Sequence, residues 1–298
     1  MGQQSQHSAR LASFSDEQVL RWATYASVAT ASVLIVIKAA AWWLTDSVSV
    51  LASLVDSLMD VAASLINLFA VAHALVPADH EHRFGHGKVE SLAGLGQAIF
   101  VFISALFLLV NAYDRLQNPH ALQAIEWGAV VTLVSIALTI LLLLFQAYVV
   151  KRTDSLAVKA DALHYRSDLA TNAVILLALG LSYYGYQRVD PLFAIVIAIY
   201  ILYSAWSIVT DSIQILLDRE LPDDMRNRII ATAEAIPQVK SIHELRTRRS
   251  GITHFIQLHI DLDAQLTLQQ AHSIADQVEA AICAIIPNAD VIIHEDPK

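Results

Sequence analysis

Cysteine is almost absent. The single thiol, Cys283, has no intrachain partner for a disulfide, and one thiolate excludes a cysteine metal cluster. Charge is scarce too: Asp, Glu, Lys and Arg make up 16% of the 298 residues, against 56% hydrophobic. A mean hydropathy of +0.51 is too high for an ordinary soluble domain and points to a polytopic membrane protein with a more polar end. Positive charge is the scarcer sign, and a net charge of −9 argues against nucleic acid as a partner. The polar opening, MGQQSQHSARLASFSDEQVL, is not followed by a short apolar stretch with a cleavage site, so no secretory signal peptide is expected. G-x-S-x-G, H-E-x-x-H and repeated histidine boxes are also missing, which removes the usual marks of a membrane hydrolase, metalloprotease or desaturase.

What is present is a series of long apolar runs. Six are long enough to cross a bilayer, at roughly 22–44, 48–76, 91–117, 124–150, 158–184 and 190–216. QNPHAL and YGYQRVDP are short enough to be tight connections after the third and fifth. Arg10, Arg21, Arg83, Lys88, Lys151, Arg152 and Lys159 fall on one side, against Arg115 and Arg188 on the other. The positive-inside rule then places both termini in the cytoplasm, as an even number of spans requires.

From about residue 218 the chain turns polar. PDDMRNRIIATAEAI has helical spacing with Pro222 in a first-turn position. Two β-rich segments meet at Ser250-Gly251, a hairpin signal. A second amphipathic helix is opened by Thr267 as its cap, and ADVIIHED is a last strand. The expected architecture is an all-α bundle of six transmembrane helices over 1–217. A cytoplasmic α+β domain of order α-β-β-α-β, ferredoxin-like in layering, follows over 218–298.

The second run contains SLVDSLMDVAASL. Asp56 and Asp60 are four residues apart and share one helix face. A charge at mid-bilayer costs roughly 2.5–3.5 kcal/mol on insertion scales, and two adjacent carboxylates also repel. The fifth run contains KADALHYRSDLATN, where His164 and Asp168 repeat the same spacing. If the two helices face each other, three carboxylates and an imidazole converge. That set suits a tetrahedral Zn²⁺-type ion rather than the oxygen cages of Ca²⁺ or Mg²⁺. The bland alternative is pairing with buried bases. Lys38 is expected to snorkel toward the interface, and Arg166 points about 200° round the helix from His164. Asp161 is either a second-shell partner of His164 or a solvated interfacial acid.

The loop PADHEHRFGHGKVE gathers Asp79, His80, His82 and His86 within eight positions, with Gly85 and Gly87 permitting a tight bend. Such density suggests a second, more exposed metal site rather than a plain polar connector. In the tail, His243, His259, His272, His294 and Asp296 are dispersed. Only His294 and Asp296, two apart on a strand, share a face by spacing alone. His254 and Cys283 read as ordinary residues, and HELRTRRS as a solvated strand face.

LVDSLMD, ADALHYRSD, PADHEHRFGHGK and DVIIHEDP together resemble the cation diffusion facilitator family, in particular its bacterial zinc and ferrous-iron efflux branch. The resemblance runs from about residue 20 onward. It implies a dimeric six-span transporter of the bacterial inner membrane, exporting a divalent metal by exchange with protons. It also implies a transport site of Asp56, Asp60, His164 and Asp168, and a loop site of Asp79, His82 and His86. A binuclear tail site would use His243, His259, His272, His294 and Asp296. Zn²⁺ is the implied ion, with Cd²⁺ or Fe²⁺ as alternatives, and Asp at position 56 relaxes the choice between zinc and cadmium. Glu295 stands where relatives often carry Gln. Lys88 and Asp218 match a salt-bridged pair near the dimer interface. The rival readings are a membrane-bound metal sensor, an intramembrane metalloenzyme and an ion channel. Proton-coupled flux separates the first reading from all three.

Overall fold

The computed structural model describes residues 2–45, 48–117, 126–183 and 189–298. Six long helices come first: α1 (Gly2–Thr45), α2 (Val48–Ala74), α3 (Lys88–Gln117), α4 (Glu126–Thr153), α5 (Leu156–Tyr183) and α6 (Val189–Leu216). Among the described residues, five stretches are long and apolar enough to cross a membrane: Asp16–Leu44, Ser57–Ala74, Lys88–Asp114, Thr132–Thr153 and Leu192–Leu216. The chain therefore has several membrane-capable helices ahead of a small sheet domain. Helix α5 has the length, but it carries Lys159, Asp161, Arg166 and Asp168. Helix α1 is longer than its apolar run, because the polar opening stretch continues the same helix. The expected turns at 117–122 and 184–191 lie largely outside the described residues.

The chain forms two compact units. One comprises 19–73 and 89–213. In it Ala98, Val101 and Ala105 of α3, Ala160 and Leu163 of α5, and Ile201, Ala205 and Ile208 of α6 form a buried cluster. Alanine at these contacts lets helix backbones approach closely, which is how helices associate where lipid offers no hydrophobic drive. Large apolar side chains such as Phe107, Val110, Tyr203 and Trp206 are left exposed, as a lipid-facing surface requires.

The second unit comprises 1–18, 74–88 and 214–298. Its tail runs α7 (Asp223–Glu234), β1 (Ser241–Ser250), β2 (Thr253–Leu262), α8 (Leu268–Ile285) and β3 (Ala289–Pro297). Strand order is β1-β2-β3, with β1 antiparallel and β3 parallel to β2. Alternation decides the faces: Ile256, Leu258, Ile260 and Leu262 of β2 point into a core with Ile229, Ile274, Val278 and Ile282 of the two helices. His259 and Asp261 lie on the opposite face. Pro222 is the N-cap residue of α7 rather than its first helical residue, with Asp223 and Asp224 in the first turn. Thr267 caps α8 through a capping box with Gln270. The hairpin turn after Ser250 places Gly251 at φ +59°, a left-handed conformation that glycine adopts without a Cβ clash.

Candidate metal centres

Helix α2 presents Asp60, and α5 presents His164 and Asp168. The His164 Nε2 is 3.0 Å from Asp60 Oδ1 and 3.6 Å from Asp168 Oδ2. One ligand atom from each residue fits within a sphere of mutual distances below 4.8 Å, a spacing that an ion can bridge. The imidazole is buried, Asp60 nearly so, and Asp168 is 37% exposed, which leaves an open side. Phe100 and Tyr165 meet the His164 ring edge-on, at 5.9 and 5.6 Å between centroids. The Tyr165 hydroxyl bonds Ser64 of α2 at 3.0 Å and donates to the Ser27 carbonyl of α1 at 3.2 Å, so the residue after His164 ties α5 to two other helices. The side chain of Asp56 lies outside the described residues.

Two sequence expectations are corrected here. Asp161 is 1% exposed, so it is no interfacial acid. Nor does it bond the imidazole. It accepts from Ser27 Oγ (2.6 Å), Gln97 Nε2 (2.9 Å) and Gln146 Nε2 (2.7 Å), on α1, α3 and α4. A buried carboxylate needs donors, and three neighbouring helices supply them. Lys38 does not snorkel: its Nζ donates to Ser57 Oγ on α2 at 2.7 Å. Arg166 is exposed, as expected from its position on the helix.

The loop of the second unit brings Asp79, His82 and His86 together. Asp79 Oδ1 accepts from the backbone amides of Glu81 (2.9 Å) and His82 (2.6 Å), a local turn that holds the carboxylate in place. The amide of His82 is the main reason that the Asp79 carboxyl sits below the usual range. His82 Nδ1 and His86 Nε2 lie 3.3 and 3.4 Å from the two carboxylate oxygens. His86 Nδ1 faces the Val76 carbonyl at 3.3 Å, which fixes that ring and aims Nε2 at Asp79. His80 turns away, its Nδ1 3.5 Å from Arg83 Nη2.

What the loop rests on was not visible in its sequence. Arg248 of β1 lies 4.5 Å over Phe84 and 4.8 Å over Phe255, and the two rings meet edge-on at 5.5 Å. A Cβ at Gly87 would sit 2.5 Å from the Ser250 carbonyl oxygen, so only glycine fits against the hairpin turn. Lys88 Nζ reaches Asp218 at 2.9 Å and the Leu216 carbonyl at 3.2 Å. Burial raises the Asp218 carboxyl. The bond from Lys88 and the charges of Lys88 and Arg248 outweigh that and leave it below the usual range.

In the tail, strand register aligns what spacing left dispersed. His243 pairs with His259, and His259 with His294, so three imidazoles form one row across the sheet. Neighbouring rings are 5.0 and 4.5 Å apart. The next row is Ser241, Asp261 and Asp296. Asp296 sits at the centre, 2.8 Å from His259, 3.3 Å from His243 and 3.4 Å from His294. His243, His259 and Asp296 meet the spacing an ion needs. A bulge between His243 and Arg246, with Glu244 at φ +48°, brings the Glu244 carboxylate to 4.0 Å from His259. Asp261 stands 3.8 Å from His243, and the Lys298 ammonium and Ser241 hydroxyl keep its carboxyl below the usual range. Neither Asp261 nor Glu244 is among the residues expected from the sequence; strand spacing from His259 is a signal that marks Asp261, whereas Glu244, turned by the bulge, carries none. His272 does not join the row within one chain. It projects from α8, 71% exposed, beside Asp276 (3.7 Å) and Glu295 (4.0 Å). The helices cover the other face of the sheet.

Two family models match the chain. The cation efflux transmembrane domain matches residues 24–217, and the cation efflux protein cytoplasmic domain matches 221–298. The chain is 54% identical over 276 residues to the cation-efflux pump FieF of Klebsiella pneumoniae, covering 93% of this chain and 92% of that protein. It is 52% identical over 285 residues to the pump of that name from Yersinia pestis (strain Pestoides F), covering 95% of each. Among solved structures, a nickel form of the MamM CTD is 29% identical over 26% of this chain and 99% of that one, with a TM-score of 0.25.

Proposed function

The chain belongs to the cation efflux family, a family of transporters rather than enzymes, and on that premise we propose that it exports a divalent metal ion by exchange with protons. The observation that carries the reading is the meeting of Asp60, His164 and Asp168 from two different helices, in a span where uncompensated carboxylates are costly. Asp56 completes the transport set as its fourth ligand. An imidazole and carboxylates bind metal only when deprotonated, so arrival of metal expels protons and their return expels metal. His164 is suited to that exchange, because an imidazole ordinarily titrates near pH 6.5. Zn²⁺ fits the mixed nitrogen and oxygen donors best, with Cd²⁺ and Fe²⁺ as competing cargo.

The proposed architecture is a six-span transmembrane domain over 1–217 and a ferredoxin-like cytoplasmic domain over 218–298, in a homodimer of the bacterial inner membrane with both termini inside. Asp79, His82 and His86 would hold a second ion. His243, His259, His294 and Asp296 would hold regulatory metal in the tail, and His272 could join such a site only from the second copy of the homodimer. From residue 218 acids outnumber bases by about five, so bound cations would also lessen repulsion between two tails.

The test is zinc flux into sealed proteoliposomes with an imposed pH gradient. Flux that follows the gradient and disappears in Asp60→Ala is the expected result. Normal flux in folded Asp60→Ala, or flux indifferent to the gradient, would overturn the reading.

A further inference from the structure

Lys38 has no part in the proposed ligand set, yet it is the one lysine placed well inside the described part of span Asp16–Leu44. It stands six residues from Leu44, about 9 Å along the helix. A lysine stem has the reach to carry its charge toward the interface, which is the usual solution for lysine near a span end. Here the ammonium turns inward and donates to Ser57 Oγ, 2.7 Å away. Ser57 is completely buried on α2. It precedes Asp60 by three residues, so the two share a helix face with Cβ atoms on the order of 5–6 Å apart. Asp60 in turn contacts His164. The positive charge of α1 is thus delivered to the strip of α2 that carries the metal-site carboxylate.

Charge counting gives this placement a purpose. Three carboxylates, a neutral imidazole and a divalent ion leave one negative charge in a low-dielectric span. One fixed ammonium cancels it. We infer that Lys38 is the fixed countercharge of the membrane metal site: it offsets the residual negative charge of the loaded four-ligand set and keeps metal binding weak enough for release. The inference rests on the reading of Asp56, Asp60, His164 and Asp168 as the transport set. Ser57 is the positioning residue that holds the ammonium on the α2 face that also carries Asp60.

The sign of the effect is definite. A cation near a cation site lowers its affinity, so removing the charge tightens metal binding. Tighter binding of the ion before the transport step lowers KM and also slows release, so kcat falls with it. The experiment is zinc flux in proteoliposomes at varied zinc, for the full-length wild type, K38R, K38M and Asp60→Ala. For K38M we expect KM and kcat both to fall about tenfold, with kcat/KM nearly unchanged. K38R, which keeps the charge, should stay close to wild type. A purely structural role for Lys38 predicts the opposite pattern: kcat falls with KM unchanged or raised, and K38R is impaired as well. That pattern, or wild-type kinetics in K38M, overturns the inference when Asp60→Ala is inactive. If Asp60→Ala still transports, the transport-site reading fails and takes this inference with it.

Discussion

Replacing Arg248 by methionine should loosen the 79–87 loop from the tail. The guanidinium lies over Phe84 at 4.5 Å and Phe255 at 4.8 Å, and its Nη1 is 3.4 Å from Asp218. Each cation–π contact contributes about 0.5–1 kcal/mol at a partly exposed site, and the half-exposed ion pair about 0.2–1 kcal/mol. Methionine retains much of the apolar stem packing, and Phe255 and Asp218 stay beside position 248 when the loop opens, so the loss to loop closure is the Phe84 contact alone, about 0.5–1 kcal/mol. At 1.4 kcal/mol per tenfold, loop opening becomes roughly two- to fivefold more frequent. Hydrogen exchange of the 79–87 segment reads this directly, since its turn is closed by the Gly85 amide on the His82 carbonyl at 3.0 Å. The measurement should be made with metal chelated, so that an ion shared by Asp79, His82 and His86 does not hold the loop shut. Arg248→Lys keeps the charge beside Asp218 but loses the planar stack, and should fall between the two. Loop exchange indistinguishable from wild type in Arg248→Met would refute the assignment of this contact as the loop's anchor.

Three further outcomes follow from the same geometry. Asp296→Asn keeps the shape at the centre of the histidine row but removes its charge; zinc affinity of the tail measured by calorimetry should drop by at least tenfold, the size of even an indirect ligand effect. Asp161→Ala removes an acceptor from Ser27, Gln97 and Gln146; Ser27 can still donate to the Ala23 carbonyl and Gln146 to Ser27 Oγ. At about 1–3 kcal/mol for the buried Gln97 amide left without its acceptor, partly offset by relief from burying a carboxylate, the helical unit should lose about 1–2 kcal/mol in detergent unfolding, and an unchanged midpoint would contradict the network. Asp218, held below the usual carboxylate range, stabilises its contacts with Lys88 and Arg248 fully above the unfolded value near 3.9 and loses that contribution as pH falls through its lower folded value. Loop exchange corrected for intrinsic rate should therefore be flat from pH 7 to 5 and rise only in more acid solution.

Local spacing was enough to identify several features. The i, i+4 pairs of α2 and α5 marked Asp60, His164 and Asp168, because helix periodicity fixes side-chain direction whatever the helix packs against. The hairpin at Ser250-Gly251 and the Thr267 cap were legible for the same reason: each depends on neighbours within four residues. The density of Asp79, His82 and His86 needed no tertiary information either. The remainder depended on how elements meet. His243, His259 and His294 are 16 and 35 residues apart. They become one row only through strand register, and a single bulge next to His243 decides where that register changes. Nothing local distinguishes Asp161 from a solvated acid until Ser27, Gln97 and Gln146 arrive from three other helices. Lys38 looked like an interfacial lysine by position, and its ammonium instead donates to Ser57 on a neighbouring helix. Sequence by itself determined which residues carry chemistry and which way each points on its own element; tertiary structure alone decided which of them share a site, because pairing and packing are set between segments that no local pattern links.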